Sequence, residues 1–149
     1  MKRTLIALMT LLALAVCLTG CRQEPVSDAG NAAPSADPLI SVRERASALR
    51  HSLEQEAQTQ TEMNQISEDL RTLWDDAMNQ LLEDAERTLP RDELERLTAE
   101  QRAWEAGKLA AVVAAGEPYE GGSLYPLIVN SEAARLTEER VLQLYELLK

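Results

Sequence analysis

Apolar residues recur at spacings of three and four in four stretches of this chain, the mark of helices that each bury one face. The clearest stretch runs from Leu94 to Ala115, where Leu94, Leu97, Gln101, Trp104, Lys108 and Ala111 share a side. Pro90 stands before it, where a missing amide proton is harmless, and Gly116 stands after it. Trp104 reads as the core anchor of that face, as a large ring in mid-helix usually is. Met63, Ile66, Leu70, Leu73, Trp74, Ala77, Leu81 and Ala85 form a second strong face. The Leu89-Pro90 step between the two stretches predicts a short connection and an antiparallel hairpin.

The outer elements are less sharply drawn. Ser41 and Glu44 have capping-box spacing ahead of a thin stripe of Val42, Ala46, Leu49 and Leu53, so a first helix is expected from Ser41. Thr59 with Glu62 repeats that spacing, so the helix either restarts there or runs on unbroken, since no Gly or Pro lies between Leu39 and Leu89. Gly116 to Asn130 reads as a long loop carrying Pro118, Gly121, Gly122, Ser123 and Pro126, with Tyr119 and Tyr125 tucking it onto the hairpin. Asn130 or Ser131 then caps a last helix with the stripe Ala133, Leu136, Val141, Leu144 and Leu148. The fold class is all-α: an antiparallel helical hairpin or small bundle of three to four helices, with a Gly/Pro-containing loop before the last helix.

Polar residues inside these helices refine the picture. Asn64 and Asn79, beside Met63 and Met78, suggest polar contacts to a packed partner segment. Asp75-Asp76 reads as a solvated face. Gly107 either admits a neighbouring backbone or merely weakens its helix.

The N-terminus changes the compartment. Lys2 and Arg3, an apolar run from Leu5 to Leu18 and then Thr19-Gly20-Cys21 read as an export signal over residues 1–20. The run is short of the roughly 20 residues that a membrane-spanning helix needs. Leu18-Thr19-Gly20-Cys21 resembles the lipobox of bacterial lipoproteins, which implies cleavage after Gly20 and a lipid on the Cys21 thiol. Several acyl chains, at about 0.8 kcal/mol per buried methylene, anchor firmly. Arg22 rather than Asp after the cysteine favours the outer membrane, facing the periplasm, in a Gram-negative host. Residues 21–40, with Pro25, Pro34 and Pro38, read as a flexible tether, and 41–149 as the helical domain.

Cysteine and charge then narrow the classes. Cys17 leaves with the signal and Cys21 is consumed by lipid, so no thiol remains for a disulfide. Losing the signal takes Lys+Arg from 15 to 13 against 25 acids, moving the net charge from −10 to −12. Nucleic acid is an unsuitable partner for that surface, whereas a cationic protein would be steered towards it. His51 is the one histidine, without a Glu-x-x-His pair, and Gly121-Gly122-Ser123 lacks the spacing and lysine of a phosphate loop. No catalytic residue, metal ligand or cofactor site is assigned, and the chain is read as a non-enzyme.

Several residues together do carry a family likeness. Glu62-Met63-Asn64, Asp75 with Met78-Asn79, Glu100-Gln101-Arg102-Ala103-Trp104, Gly121-Gly122-Ser123, and Leu136-Thr137 with Arg140 stand in a distinctive order. In order and spacing, over about residues 60–148, they resemble the lysozyme inhibitor LprI-like N-terminal domain, a small exported helical family. The resemblance implies a helical fold and a lysozyme-like, cationic protein partner. The family usually carries cysteines where this chain has Ile66, Val112 and the Ser131-Glu132 neighbourhood, so apolar packing replaces those bridges. The signature residues are expected either in a buried polar network of Asn64, Asn79, Gln101, Arg102, Thr137 and Arg140 that orders the loop, or at a binding surface that includes Gly121 to Tyr125. The alternative function is a non-catalytic envelope scaffold without lysozyme activity.

Overall fold

The computed structural model describes residues 37–149, which form four helices. The export signal, Gly20, Cys21 and most of the expected tether lie outside the described residues. Helix α1 spans Pro38–His51 and begins three residues before Ser41. Its cap is Asp37, whose carboxylate accepts the Leu39 amide at 3.0 Å, and Pro38 occupies the first turn, where its ring is favoured. Ser41 instead turns its hydroxyl back onto the Pro38 carbonyl.

The open question of one helix or two is resolved at Ser52–Glu56. A single π-type turn forms there, closed by the Ala57 amide on the Ser52 carbonyl at 2.9 Å, and Ala57 itself is extended. Helix α2, Gln60–Thr88, starts afresh at the Thr59/Glu62 capping box, with both reciprocal bonds made. It stops because Leu89 precedes a proline, whose ring forces the residue before it out of helical conformation. Helix α3, Arg91–Gly116, follows at once, with Asp92 and Glu93 in the first turn, where the helix dipole favours acids.

Helix α4 spans Tyr125–Leu148, so the long loop expected after Gly116 shrinks to a 3-10 turn at Glu117–Tyr119 and a few residues beyond it. Pro126 misled that expectation: it lies in the first turn of α4, where proline starts a helix rather than breaks one. Asn130 and Ser131 are therefore interior to α4, not its cap.

The four helices run alternately up and down. Met78 and Gln101, about equally far from the Pro90 turn, meet across α2 and α3, as an antiparallel hairpin requires. Helix α4 runs parallel to α2 and packs on it most extensively, since Asn130 meets Ser67 and Thr137 meets Asp75 at an almost constant sequence offset. Helix α1 lies antiparallel against that pair, with Arg50 paired to Glu138 at one end and Asp37 bonded to Tyr145 at the other.

The core lies mainly between α2 and α4. Trp74, Ser67, Thr137, Val141 and Leu144 are the largest completely enclosed side chains, joined by Leu70, Leu73 and the small Ala85 and Ala134. Trp74, not Trp104, is the anchor: Trp74 is 0% exposed, while Trp104 is half-buried against the cluster's edge. An enclosed indole removes on the order of 200 Å² from water. Leu39 and Ala46 of α1 and Leu97 of α3 close the cluster from their own sides.

Candidate functional site

Helices α2, α3 and α4 meet along a polar seam centred on Asp75. Its carboxylate accepts from Arg71 Nη1 at 2.6 Å, one turn back on α2. Lys108 Nζ, from α3, donates at 2.8 Å, and Thr137 Oγ1, from α4, lies 3.2 Å away. Asp75 therefore does not belong to the solvated face expected of it, whereas Asp76, about 100° round the helix, is exposed. The Thr137 hydroxyl is fully enclosed and also 2.8 Å from the Ala133 carbonyl, so its one proton is shared.

One helical turn further along α4, Arg140 is buried to 9% exposure. Its Nε donates to Gln101 Oε1 at 3.0 Å, and Gln101 Nε2 reaches Met78 Sδ and Glu105 Oε1. Half-buried Trp104 lies between two cations, with Lys108 Nζ 5.5 Å and the Arg140 guanidinium carbon 6.0 Å from its ring centre. Arg140 Nη2 is enclosed without a hydrogen-bond partner among the described residues, so this cation leans on the indole face. At the seam's edge, the hydrogen bond between Arg71 and Glu68 is the chief cause of a raised Arg71 guanidinium and a lowered Glu68 carboxyl.

A second polar cluster ties the turn before α4 to the start of α2. Asn64 Nδ2 donates to the Ser123 carbonyl at 3.2 Å, while Asn130 Nδ2 reaches Ser67 Oγ at 3.4 Å. Gly121 supplies the one positive φ among the described residues, +73°, and the Gly122 amide closes the turn on the Tyr119 carbonyl at 2.9 Å. Gly116 has a different task. A Cβ there would stand 2.6 Å from Val129 and 2.7 Å from the Tyr125 ring, so only glycine lets α4 cross the end of α3. Around Gly107 there is open space, so no neighbouring backbone needs it.

The signature residues thus divide into three sets. Asp75, Gln101, Trp104, Thr137 and Arg140 converge on the seam. Asn64, Gly121, Gly122 and Ser123 build the turn, with Met63 half-buried close by in sequence. Asn79 and Arg102 are exposed and enter neither cluster, contrary to the network expected of them. Arg71, Met78, Glu105 and Lys108 join the seam although the sequence reading did not place them there. Lys108 did carry a signal: a cation on an otherwise apolar stripe must find an acid when that stripe is buried.

Chemically, the seam is a fastening. Asp75 already receives three donors, and Gln101 is spent on Arg140, Met78 and Glu105, leaving Arg140 Nη2 alone against the indole. Among the described residues no three His, Cys, Asp or Glu side chains converge as a metal site, and no helix is long and apolar enough to cross a membrane.

The family model described as lysozyme inhibitor LprI matches residues 52–144, from the π-type turn to within a few residues of the end of α4. No curated protein and no solved structure matches the chain. The match covers more than half of the sequence and contains both polar clusters, leaving only α1 and the flanking ends outside it. The chain belongs to the lysozyme inhibitor LprI family.

Proposed function

We propose that this protein is a non-catalytic envelope lipoprotein that binds and inhibits a cationic lysozyme-type muramidase. Family membership over residues 52–144 carries the reading. The surplus of acids, 25 against 15 Lys+Arg, supports it, because a strongly acidic domain is steered towards a basic enzyme. The lipobox supplies the location: cleavage after Gly20, lipid on Cys21, and a domain held at the membrane, on the periplasmic side of the outer membrane in a Gram-negative host. The test is the rate at which a basic lysozyme clears a cell-wall suspension in moderate salt, with and without excess purified protein. Slowed clearance is expected, and unchanged clearance at excess protein removes the reading. Intact-mass analysis checks the anchor, since an unmodified thiol at position 21 would exclude lipidation.

A second reading, an envelope scaffold with no lysozyme activity, is favoured by the inward placement of Asp75, Gln101, Thr137 and Arg140. Those residues hold helices together whichever partner the surface meets. The clearance assay separates the two readings: a folded protein that leaves lysozyme activity untouched at excess supports the scaffold, and slowed clearance supports the inhibitor.

A further inference from the structure

Among the described residues, most of the large apolar side chains left in water lie on the second half of α3 and the turn into α4. Leu109 and Val113 stand 66% and 58% exposed on α3, and Tyr119, Leu124 and Tyr125 are exposed in and after the turn. Three of these side chains adjoin. Leu109, Val113 and Gly116 follow one another at helical spacing, and the Tyr125 ring lies over Gly116, carrying the stripe onto the start of α4. A groove of about 300 Å³ lies alongside, lined by Trp104, Leu109, Val112 and Ala133 together with Glu105 and with Arg71 and Lys108, both paired to Asp75. A contiguous apolar patch of this kind marks an interaction surface more often than singly scattered residues do.

Charge names the occupant. From Leu109 to Asn130 the only charged residues are Glu117 and Glu120; both are exposed, and neither has an ion-pair partner among the described residues. An apolar, tyrosine-bearing centre with an unpaired acidic rim fits a cationic protein and repels an anionic one. Asp37, at the start of the described residues, is held against Tyr145, about 30 Å along α4 from Tyr125 at roughly 1.5 Å per residue, so this face and Asp37 lie at opposite ends of α4. We infer that Leu109, Val113, Tyr119, Leu124 and Tyr125, rimmed by Glu117 and Glu120, form the docking face for the cationic lysozyme-type partner. The inference rests on the inhibitor reading above and assigns its surface.

The experiment measures binding and inhibition of a basic lysozyme by the full protein and three double variants. Leu109→Lys/Val113→Lys should weaken binding about tenfold or more, with circular dichroism and melting unchanged because both positions already face water. Glu117→Gln/Glu120→Gln should slow association and flatten its salt dependence. Asp69→Asn/Asp76→Asn, equal in charge change but on the exposed face of α2, should alter binding far less. If the unaltered protein inhibits and both patch variants inhibit equally well, the inference falls while the inhibitor reading stands. If the α2 variant weakens binding as much as the patch variants do, diffuse charge rather than this face is responsible, and the inference again falls. If the unaltered protein does not bind, both readings fall. If it self-associates and Leu109→Lys/Val113→Lys makes it monomeric, the face serves a second copy and the inference is overturned.

Discussion

Asp75 on α2 grips Lys108 on α3 across a 2.8 Å ion pair, and the same carboxylate meets Thr137 on α4. The two charged side chains are only 23% and 18% exposed, so water screens them weakly. Asp75→Asn leaves Lys108 and Arg71 facing a neutral amide and should lower the unfolding free energy by about 2–3 kcal/mol in urea titration. Lys108→Met should cost less, because Arg71 still neutralises Asp75. A loss below about 0.5 kcal/mol for Asp75→Asn would show that the seam is dispensable.

Two glycines of α3 should respond in opposite directions to the same change. Gly116→Ala drives a methyl group into Val129 and Tyr125 and should destabilise by about 1–3 kcal/mol. Gly107→Ala meets open space in mid-helix and should stabilise by up to about 1 kcal/mol. Thermal melts of the two variants suffice to compare them.

The tryptophans differ in what they can meet. Trp74 is sealed, whereas Trp104 is half-buried under two cations. With Trp104→Phe, the remaining emission should be blue-shifted and resist acrylamide; with Trp74→Phe, it should be red-shifted and quenched. Trp74→Ala should lose about 3–5 kcal/mol. Equal quenching of the two rings would contradict this packing.

Acid and alkali should both loosen α1. The Tyr145 hydroxyl donates to Asp37 at 2.6 Å, the main reason that the Asp37 carboxyl titrates below its ordinary 3.8 and the Tyr145 hydroxyl above its ordinary 10.0. A lowered carboxyl contributes fully above its unfolded value and loses that contribution as pH falls through the lowered native one. A raised phenol contributes fully below its unfolded value and loses it as pH rises through the raised native one. The clasp is therefore intact from mildly acidic to mildly alkaline pH. Tyr145→Phe should move the Asp37 carboxyl back towards 3.8 in an NMR titration.

Much of this architecture is visible in the chain before any coordinates. The α3 stripe from Leu94 to Ala111, the Pro90 hinge and the Thr59/Glu62 box all sit where periodicity and capping chemistry put them. Local rules reach that far because each of these signals acts within a few residues. They fail where the partner is distant in sequence. Asp75 looks like a surface acid until Lys108 and Thr137 arrive from other helices. Asn79 and Arg102 look like members of the same network, but their helix faces turn outwards. The choice of Trp74 over Trp104 as anchor depends on α4 packing mainly on α2, and no pattern in either helix alone reveals that.

The parallel course of α2 and α4 has a kinetic consequence. Two neighbours pointing the same way cannot be joined by a tight reversal, so α3 serves as the return stroke that carries the chain back to the starting end. Contacts between residues more than 60 apart, such as Asn130 with Ser67, must then close late in folding, after the entropy of a long loop has been overcome. Until that moment the face of α2 that holds Trp74 lacks its main cover, α4, so the nascent chain is most prone to aggregate just before its last helix docks.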